Sequence, residues 1–154
     1  MKLTANFTLD ELTKSQTAER KGINNNPSPE QIENLKALAV NILQPVRAQF
    51  EKPLIIYSGF RCAQLCIEIV SKITSQHCAD NEAAAADFEI WGTDNEVLAT
   101  WIKSELEYDQ LILEFWKKGE PNSGWVHCSY SRNSNRQQSL RATREDGKVK
   151  YKPW

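Results

Sequence analysis

The sequence predicts an α+β fold with a small antiparallel sheet and helices packed mainly on one of its faces. Apolar residues recur at helical spacing before residue 52 and again after residue 93. Short apolar or alternating stretches lie between and after these helices, which is typical of strands. We expect a single domain over residues 1–154, with a helical part at 1–52, a core at 53–130 and a polar tail at 131–154.

Capping boxes mark the starts of helices, because a Ser or Thr precedes a Glu or Gln by three residues. Pro29 directly follows one of these caps, and proline is favoured in a first helical turn. Pro45 interrupts the apolar pattern of the same helix, so we expect a kink near residues 41–45. The capping pairs are Thr8 with Glu11, Ser28 with Gln31, and Thr93 with Glu96.

Two stretches in the middle of the chain are typical of strands. Residues 54–58 are apolar and stop at Gly59, which indicates a buried strand. Residues 86–90 alternate, so that Asp87 and Glu89 share one face. The remaining predicted elements are a short helix at 62–69, a polar loop at 71–82, strands at 110–115 and 125–130, and a tail hairpin around 145–147.

Charge and hydropathy exclude several classes of partner. The chain has 19 Lys and Arg against 20 Asp and Glu, and this balance disfavours a nucleic-acid binder, which usually needs a basic face. No apolar stretch is long enough to predict a membrane span. The first residues lack the apolar run of a secretory signal, so we expect synthesis in a cytoplasm.

The four cysteines allow two disulfides or a metal site with thiolate ligands. In a cytoplasmic protein disulfides are disfavoured, and the close C-x2-C pair of most zinc-thiolate sites is absent from the sequence. We therefore expect small buried side chains. The cysteines are Cys62, Cys66, Cys78 and Cys128.

Both histidines stand in sequence contexts that suit a metal site. His77 follows Ser75-Gln76 and precedes Asp87, and His127 ends Gly124-Trp125-Val126-His127. Two imidazoles and one carboxylate supply three ligands of a catalytic zinc ion, which keeps a fourth position for water. The residues alone leave open a capping or ion-pairing role for Asp87 and non-metal roles for the histidines.

The order of these motifs resembles the zinc D-alanyl-D-alanine carboxypeptidase and endopeptidase family of bacteria and phages. The resemblance extends from about residue 7 to residue 130. It rests on Ser58-Gly59-Phe60-Arg61, Ser75-Gln76-His77, Ala85-Ala86-Asp87, Asp109-Gln110-Leu111-Ile112-Leu113-Glu114-Phe115 and Gly124-Trp125-Val126-His127. It implies one Zn²⁺ per chain on His77, Asp87 and His127, Arg61 in the substrate pocket, and a peptidoglycan peptide as substrate.

The remaining site residues are assigned by their chemistry. Glu114 ends an apolar strand and is our candidate for moving a proton between the attacking water and the leaving amine, although an edge-strand carboxylate facing solvent is the alternative. Arg61 can bind a peptide carboxylate or an oxyanion, or form a structural salt bridge. Ser75 binds substrate or caps its loop, and Trp125 and Tyr130 line the cleft or fill the core.

The chain departs from the family pattern at two places. The family's Ser-x-His-x-x-Gly-x-Ala-x-Asp motif is three residues longer here, so the loop from His77 to Asp87 must bulge, and Asp80 becomes a competing ligand. Family members often carry the general base three residues before the last histidine, where this chain has Gly124.

Together these observations predict a zinc metallopeptidase that cleaves D-Ala-containing stem peptides or cross-links with a metal-activated water. The alternative is a degenerate, non-catalytic member that serves as a phage structural or host-interaction module. We expect action at the cell wall after release, or association with a virion. The oligomeric state stays open, with a monomer as the expectation.

Overall fold

A computed structural model describes residues 1–69 and 75–154 and confirms the α+β class. Part of the loop predicted at 71–82 lies outside the described residues. A wide helical turn, Ala39–Leu43, joins α3 to α4, and a short 3₁₀ turn, Gln76–Cys78, precedes β2. The helices are α1 Leu9–Thr13, α2 Gln16–Lys21, α3 Pro29–Leu38, α4 Gln44–Phe50, α5 Ala63–Glu68 and α6 Asn95–Glu105. The strands are β1 Ile55–Ser58, β2 Ala83–Glu89, β3 Gln110–Glu114, β4 Trp125–Ser131, β5 Gln138–Glu145 and β6 Lys148–Pro153.

The six strands form one sheet in the order β1-β2-β4-β3-β5-β6. Neighbouring strands are antiparallel except β3 and β5, which run parallel. The sheet is therefore mixed rather than purely antiparallel. Alternation shows which residues share a face but not which strands become neighbours, so the parallel pair had no sequence signal.

The two faces of the sheet have different roles. Helices α3 and α6 pack against β2, β3 and β4, and the strand residues Phe88, Val126 and Leu111 on that side are buried in the main core. On β2 and β4, the residues that alternate with this apolar set include Asp87 and His127. The helices thus support one face and leave the polar face for the site.

The predicted caps are correct for two helices and wrong by one residue for the third. Thr8 and Ser28 both form complete capping boxes. Helix α6 is capped by Asp94 rather than Thr93: its carboxylate accepts a hydrogen bond from the Glu96 amide at 2.8 Å. The same oxygen accepts from Nε1 of Trp116 at 3.0 Å, a tertiary contact that has no local sequence signal.

Two further predictions concern Pro45 and β1. Proline lacks an amide hydrogen and crowds the preceding turn, and the π-helical segment Ala39–Leu43 lies directly before α4, overlapping the place where the kink was predicted. Strand β1 is an edge strand and not a buried one, since Ile55 and Tyr57 are exposed.

Candidate metal centre

Strand register brings two of the predicted ligands together. Asp87 on β2 pairs directly with His127 on β4, so their side chains leave the same face of the sheet. Oδ1 of Asp87 lies 2.9 Å from Nδ1 of His127. His77 arrives from the 3₁₀ turn, with Nε2 at 3.5 Å from Oδ2 of Asp87. The three ligand atoms all lie within 4.8 Å of one another, and the group could hold a metal ion.

A backbone carbonyl fixes the orientation of His77. Nδ1 of His77 lies 2.8 Å from the Gly59 oxygen. A carbonyl only accepts, so Nδ1 carries the hydrogen of the neutral ring and Nε2 keeps a lone pair. Burial lowers the pKa of His77, although Asp87 opposes the shift. The ring is therefore held neutral, with its free lone pair directed at the other two ligands.

The Asp87 carboxyl is held in its ionised form. Burial by itself would raise its pKa, but the hydrogen bond from His127 and the close approach of His77 outweigh that effect and leave the pKa well below its ordinary value. Nη2 of Arg61 lies 3.6 Å from Oδ2 and adds a positive charge beside the carboxylate. A deprotonated carboxylate beside a neutral imidazole is the state in which both residues bind a cation.

The insertion between His77 and Asp87 is absorbed by a tight loop. Ala79, Asn81 and Glu82 all have positive φ, at 55°, 55° and 63°, so the extra residues reverse the chain before β2 begins. Asp80 lies on this loop, is exposed, and accepts a hydrogen bond from Gln31 at 3.0 Å. Among the described residues Asp80 lies outside the ligand group.

Arg61 is positioned by two hydrogen bonds of its own and by two that Asn25 makes to the residues on either side of it. Its amide donates to the His77 carbonyl at 2.8 Å, and its Nε donates to Oγ of Ser58 at 2.8 Å. Asn25, which is buried, donates to the carbonyl of Phe60 and accepts from the amide of Cys62. The sequence predicted no role for Asn25.

Glu114 is half-buried on β3, between β4 and β5, so the edge-strand alternative does not apply. Burial raises the pKa of its carboxyl, and the negative charge of Asp87 raises it further.

The backbone at Gly124 explains why the general base that family members often carry three residues before the last histidine is absent from that position here. Its φ is +65°, and a Cβ there would lie 1.8 Å from the Glu114 carbonyl oxygen.

All the predicted site residues line one cavity of about 930 Å³. Ser75 lines the cavity and also caps the 3₁₀ turn, since its hydroxyl accepts from the His77 amide at 3.2 Å. Trp125 lines the cavity, whereas Tyr130 packs against the core. The predicted set is Arg61, Ser75, His77, Asp87, Glu114, Trp125 and His127.

Comparison with known proteins decides the family. The family model described as Peptidase M15 matches residues 5–129. The chain belongs to the peptidase M15 family. No curated protein matches the chain. The M15 family consists of zinc-dependent metallopeptidases, so its substrates are peptides.

Beside the His77, Asp87 and His127 group lies an ionic contact between the buried Asp109 and the exposed Arg136, which the sequence did not predict. Asp109 accepts hydrogen bonds from Nε and Nη2 of Arg136 at 3.0 and 2.9 Å, and from Nε2 of Gln76 at 2.6 Å. Burial would raise the Asp109 pKa, but the Arg136 contacts lower it below its ordinary value. This cluster, the Asp109 brace, ties the turn that bears His77 to β3. Tyr151 of β6 also lines the cavity without having been predicted.

The four cysteines of this M15 chain, all of which lie in the described residues, form no disulfide. Cys66, Cys78 and Cys128 are buried, as expected for small core side chains, and burial raises the pKa of Cys78 to about 12. Across the described residues no metal-ligand group includes a cysteine. In the same part of the chain, no helix is long and apolar enough to cross a membrane.

Proposed function

We propose that the chain is a zinc-dependent peptidase that hydrolyses D-Ala-containing peptides of peptidoglycan, either stem peptides or cross-links. The observation that carries the proposal is the convergence of His77, Asp87, His127 and Glu114 in one open cavity of an M15 fold. Arg61 enters the same cavity and supplies a planar cation suited to a peptide carboxylate.

The donor set fits the ion. Two nitrogens and one carboxylate oxygen are the ligands that catalytic zinc prefers, and the Gly59 contact already selects the His77 tautomer that leaves Nε2 for the ion. His77, Asp87 and His127 would hold it. When bound, zinc supplies a Lewis acid that lowers the pKa of a coordinated water to about 7 and polarises the peptide carbonyl.

Glu114 is the residue that moves the proton. Its carboxylate lines the same cavity as the ligand group and has a raised pKa, and a raised pKa suits a group that must accept a proton from water and then return it. The leaving group is an amine, which must be protonated as the peptide bond breaks. One carboxyl that first accepts and then donates satisfies both requirements.

Arg61 orients the substrate. Its Nε is used by Ser58 and one Nη2 hydrogen is directed at Asp87, so the remaining guanidinium hydrogens are left for the peptide. Its side chain is only 20% exposed. A partly desolvated guanidinium binds a carboxylate more strongly than one in open water. Trp125 adds an aromatic wall and Ser75 a hydroxyl.

The test compares two aspartates of the same loop and strand. Asp87→Ala should lose both bound zinc and hydrolysis of purified muropeptides, because it removes a ligand. Asp80→Ala should retain zinc, because Asp80 is exposed and lies outside the ligand group. Loss of zinc from Asp80→Ala and not from Asp87→Ala would reject this ligand set. Zinc bound without turnover of any muropeptide would instead favour the non-catalytic binding module.

A further inference from the structure

Four residues form one row across the sheet beside the metal ligands. Trp125 of β4 pairs with Glu114 of β3, and Glu114 pairs with Ala142 of β5. Ala142 pairs in turn with Tyr151 of β6. Directly paired residues share a face, so the Tyr151 ring and the Glu114 carboxyl stand on the same side. Ala142 has only a methyl group, so no tall side chain separates them within the row.

The two faces of β6 carry different kinds of side chain. Lys148, Lys150 and Lys152 alternate with Val149, Tyr151 and Pro153. Period-two alternation places the three lysines on one face and Tyr151 on the other. Every residue of β6 is exposed, so this strand adds little to the core. Its one contribution to the cavity is Tyr151, which lines it together with Glu114 and His127.

The C-terminal end of β6 is anchored to the body of the protein. The Trp154 amide donates to the Ser139 carbonyl at 3.0 Å, and the Trp154 ring lies 4.7 Å from the Arg141 guanidinium carbon. Lys103 of α6 approaches the same ring at 4.8 Å. This anchor stands three residues beyond Tyr151 and fixes the strand against the sheet.

The Tyr151 hydroxyl is available to donate a hydrogen bond to a ligand. Tyr151 is 55% exposed, and no hydrogen bond to its hydroxyl forms within the described residues. Burial raises its pKa, and the charges of Glu114 and Asp87 raise it further. The hydroxyl therefore keeps its hydrogen at neutral and mildly alkaline pH.

We propose that Tyr151 is a substrate-binding residue whose hydroxyl donates a hydrogen bond to a backbone carbonyl of the bound peptide beside Glu114. The inference rests on the proposed peptidase function and deepens it. Strands β5 and β6 lie beyond residue 129, where the match to the M15 family ends. This chain thus completes its substrate cleft with a hairpin that the matched part of the family does not include.

The experiment measures peptide binding as well as turnover. The probe is a stem pentapeptide ending in D-alanyl-D-alanine, titrated calorimetrically into zinc-loaded Glu114→Gln protein, with and without Tyr151→Phe. Steady-state kinetics are measured for Tyr151→Phe in the otherwise unchanged protein. The matched control is Tyr57→Phe, since Tyr57 is 56% exposed, lies outside the cavity and gives its hydroxyl hydrogen to Glu89.

We expect Tyr151→Phe to raise both the Kd and the KM about 3- to 10-fold, which corresponds to the loss of one hydrogen bond. Its kcat should stay within about twofold of the parent value. Its Tm should stay unchanged, and Tyr57→Phe should leave Kd and KM unchanged. Equal Kd and KM for Tyr151→Phe and the parent would overturn the role of Tyr151. A peptide that the parent neither binds nor cleaves would overturn the proposed function, and this inference with it.

Discussion

The Glu114 carboxyl lies where burial and the neighbouring charge of Asp87 both favour its protonated form. A general base is active only in its deprotonated form, so hydrolysis should rise with pH through the pKa of Glu114. Glu114→Gln keeps the shape and removes the proton acceptor. We expect kcat to fall by about 10²- to 10⁴-fold, measured by release of D-alanine or of cleaved muropeptide.

The control for this prediction is zinc content, which should be unchanged in Glu114→Gln because Glu114 is not in the ligand group. A kcat within twofold of the wild type would show that another group transfers the proton.

Gly124 is a second residue whose identity the geometry dictates. A Cβ there would lie 1.8 Å from the Glu114 carbonyl oxygen, in a left-handed conformation. Gly119 is also left-handed, at φ +86°, but has nothing within 4 Å. Both alanine variants should incur a left-handed strain of about 1–2 kcal/mol. Gly124→Ala should lose at least about 1 kcal/mol more from the overlap, measured by urea unfolding.

Equal unfolding free energies for Gly124→Ala and Gly119→Ala would mean that the backbone around Glu114 shifts at little energetic cost and so relieves the overlap. The same comparison reports on the site, because any shift that relieves the overlap moves β3 at Glu114. Activity should therefore fall in Gly124→Ala and persist in Gly119→Ala.

The residues predicted for the site carry their own chemical signal in the sequence. His77, Asp87, His127 and Glu114 stand in ordered motifs with spacing that the family shares, and the structure brings all of them to one cavity. Residues whose role is set by tertiary neighbours escaped prediction. Asn25 is an ordinary loop residue in the sequence, and only the fold places it against the segment that bears Arg61.

At the scale of elements, the Asp109 brace joins three separate parts of the chain: the turn at Gln76, the start of β3 and the loop at Arg136. The folded protein holds the Asp109 pKa below its ordinary value, whereas the unfolded chain has a pKa of about 3.9. The brace therefore contributes stability above the unfolded pKa. That contribution is lost as the pH falls through the folded pKa.

Asp109→Asn should lower the free energy of unfolding by about 1–3 kcal/mol at neutral pH. The difference from wild type should stay constant from about pH 8 to 5 and narrow below about pH 4. Urea unfolding of chelator-treated protein across this range measures it. A difference that persists unchanged at the lowest pH would assign the loss to packing rather than to the ionised carboxylate.

Helices and strands were predicted correctly where capping or turn residues determine them, and less well where the sequence offers only a weak periodic pattern. The capping boxes at Thr8 and Ser28 and the hairpin at 145–147 follow from local chemistry and were correct. Helix α2 was missed, although Ser15 caps its start and Gly22 ends it in a left-handed conformation. Six residues between caps carry too little apolar periodicity to distinguish a short helix from a loop.

For the whole molecule, the class and the side of the sheet that carries the site were predictable, but the strand order was not. Periodicity assigned Asp87 to the face opposite Phe88, and the structure confirms this. The parallel pairing of β5 with β3 depends on the path of the loop between β4 and β5, which periodicity does not encode. That pairing matters for function, because it brings the hairpin of Tyr151 to the cleft.

The proposed activity depends most directly on the metal. Elemental analysis of purified wild type, beside His77→Ala, tests it in a single measurement. We expect about one zinc per chain in the wild type and none in His77→Ala, since the variant removes the ligand that the Gly59 carbonyl orients. A wild-type protein that retains no metal after zinc has been supplied would contradict the account.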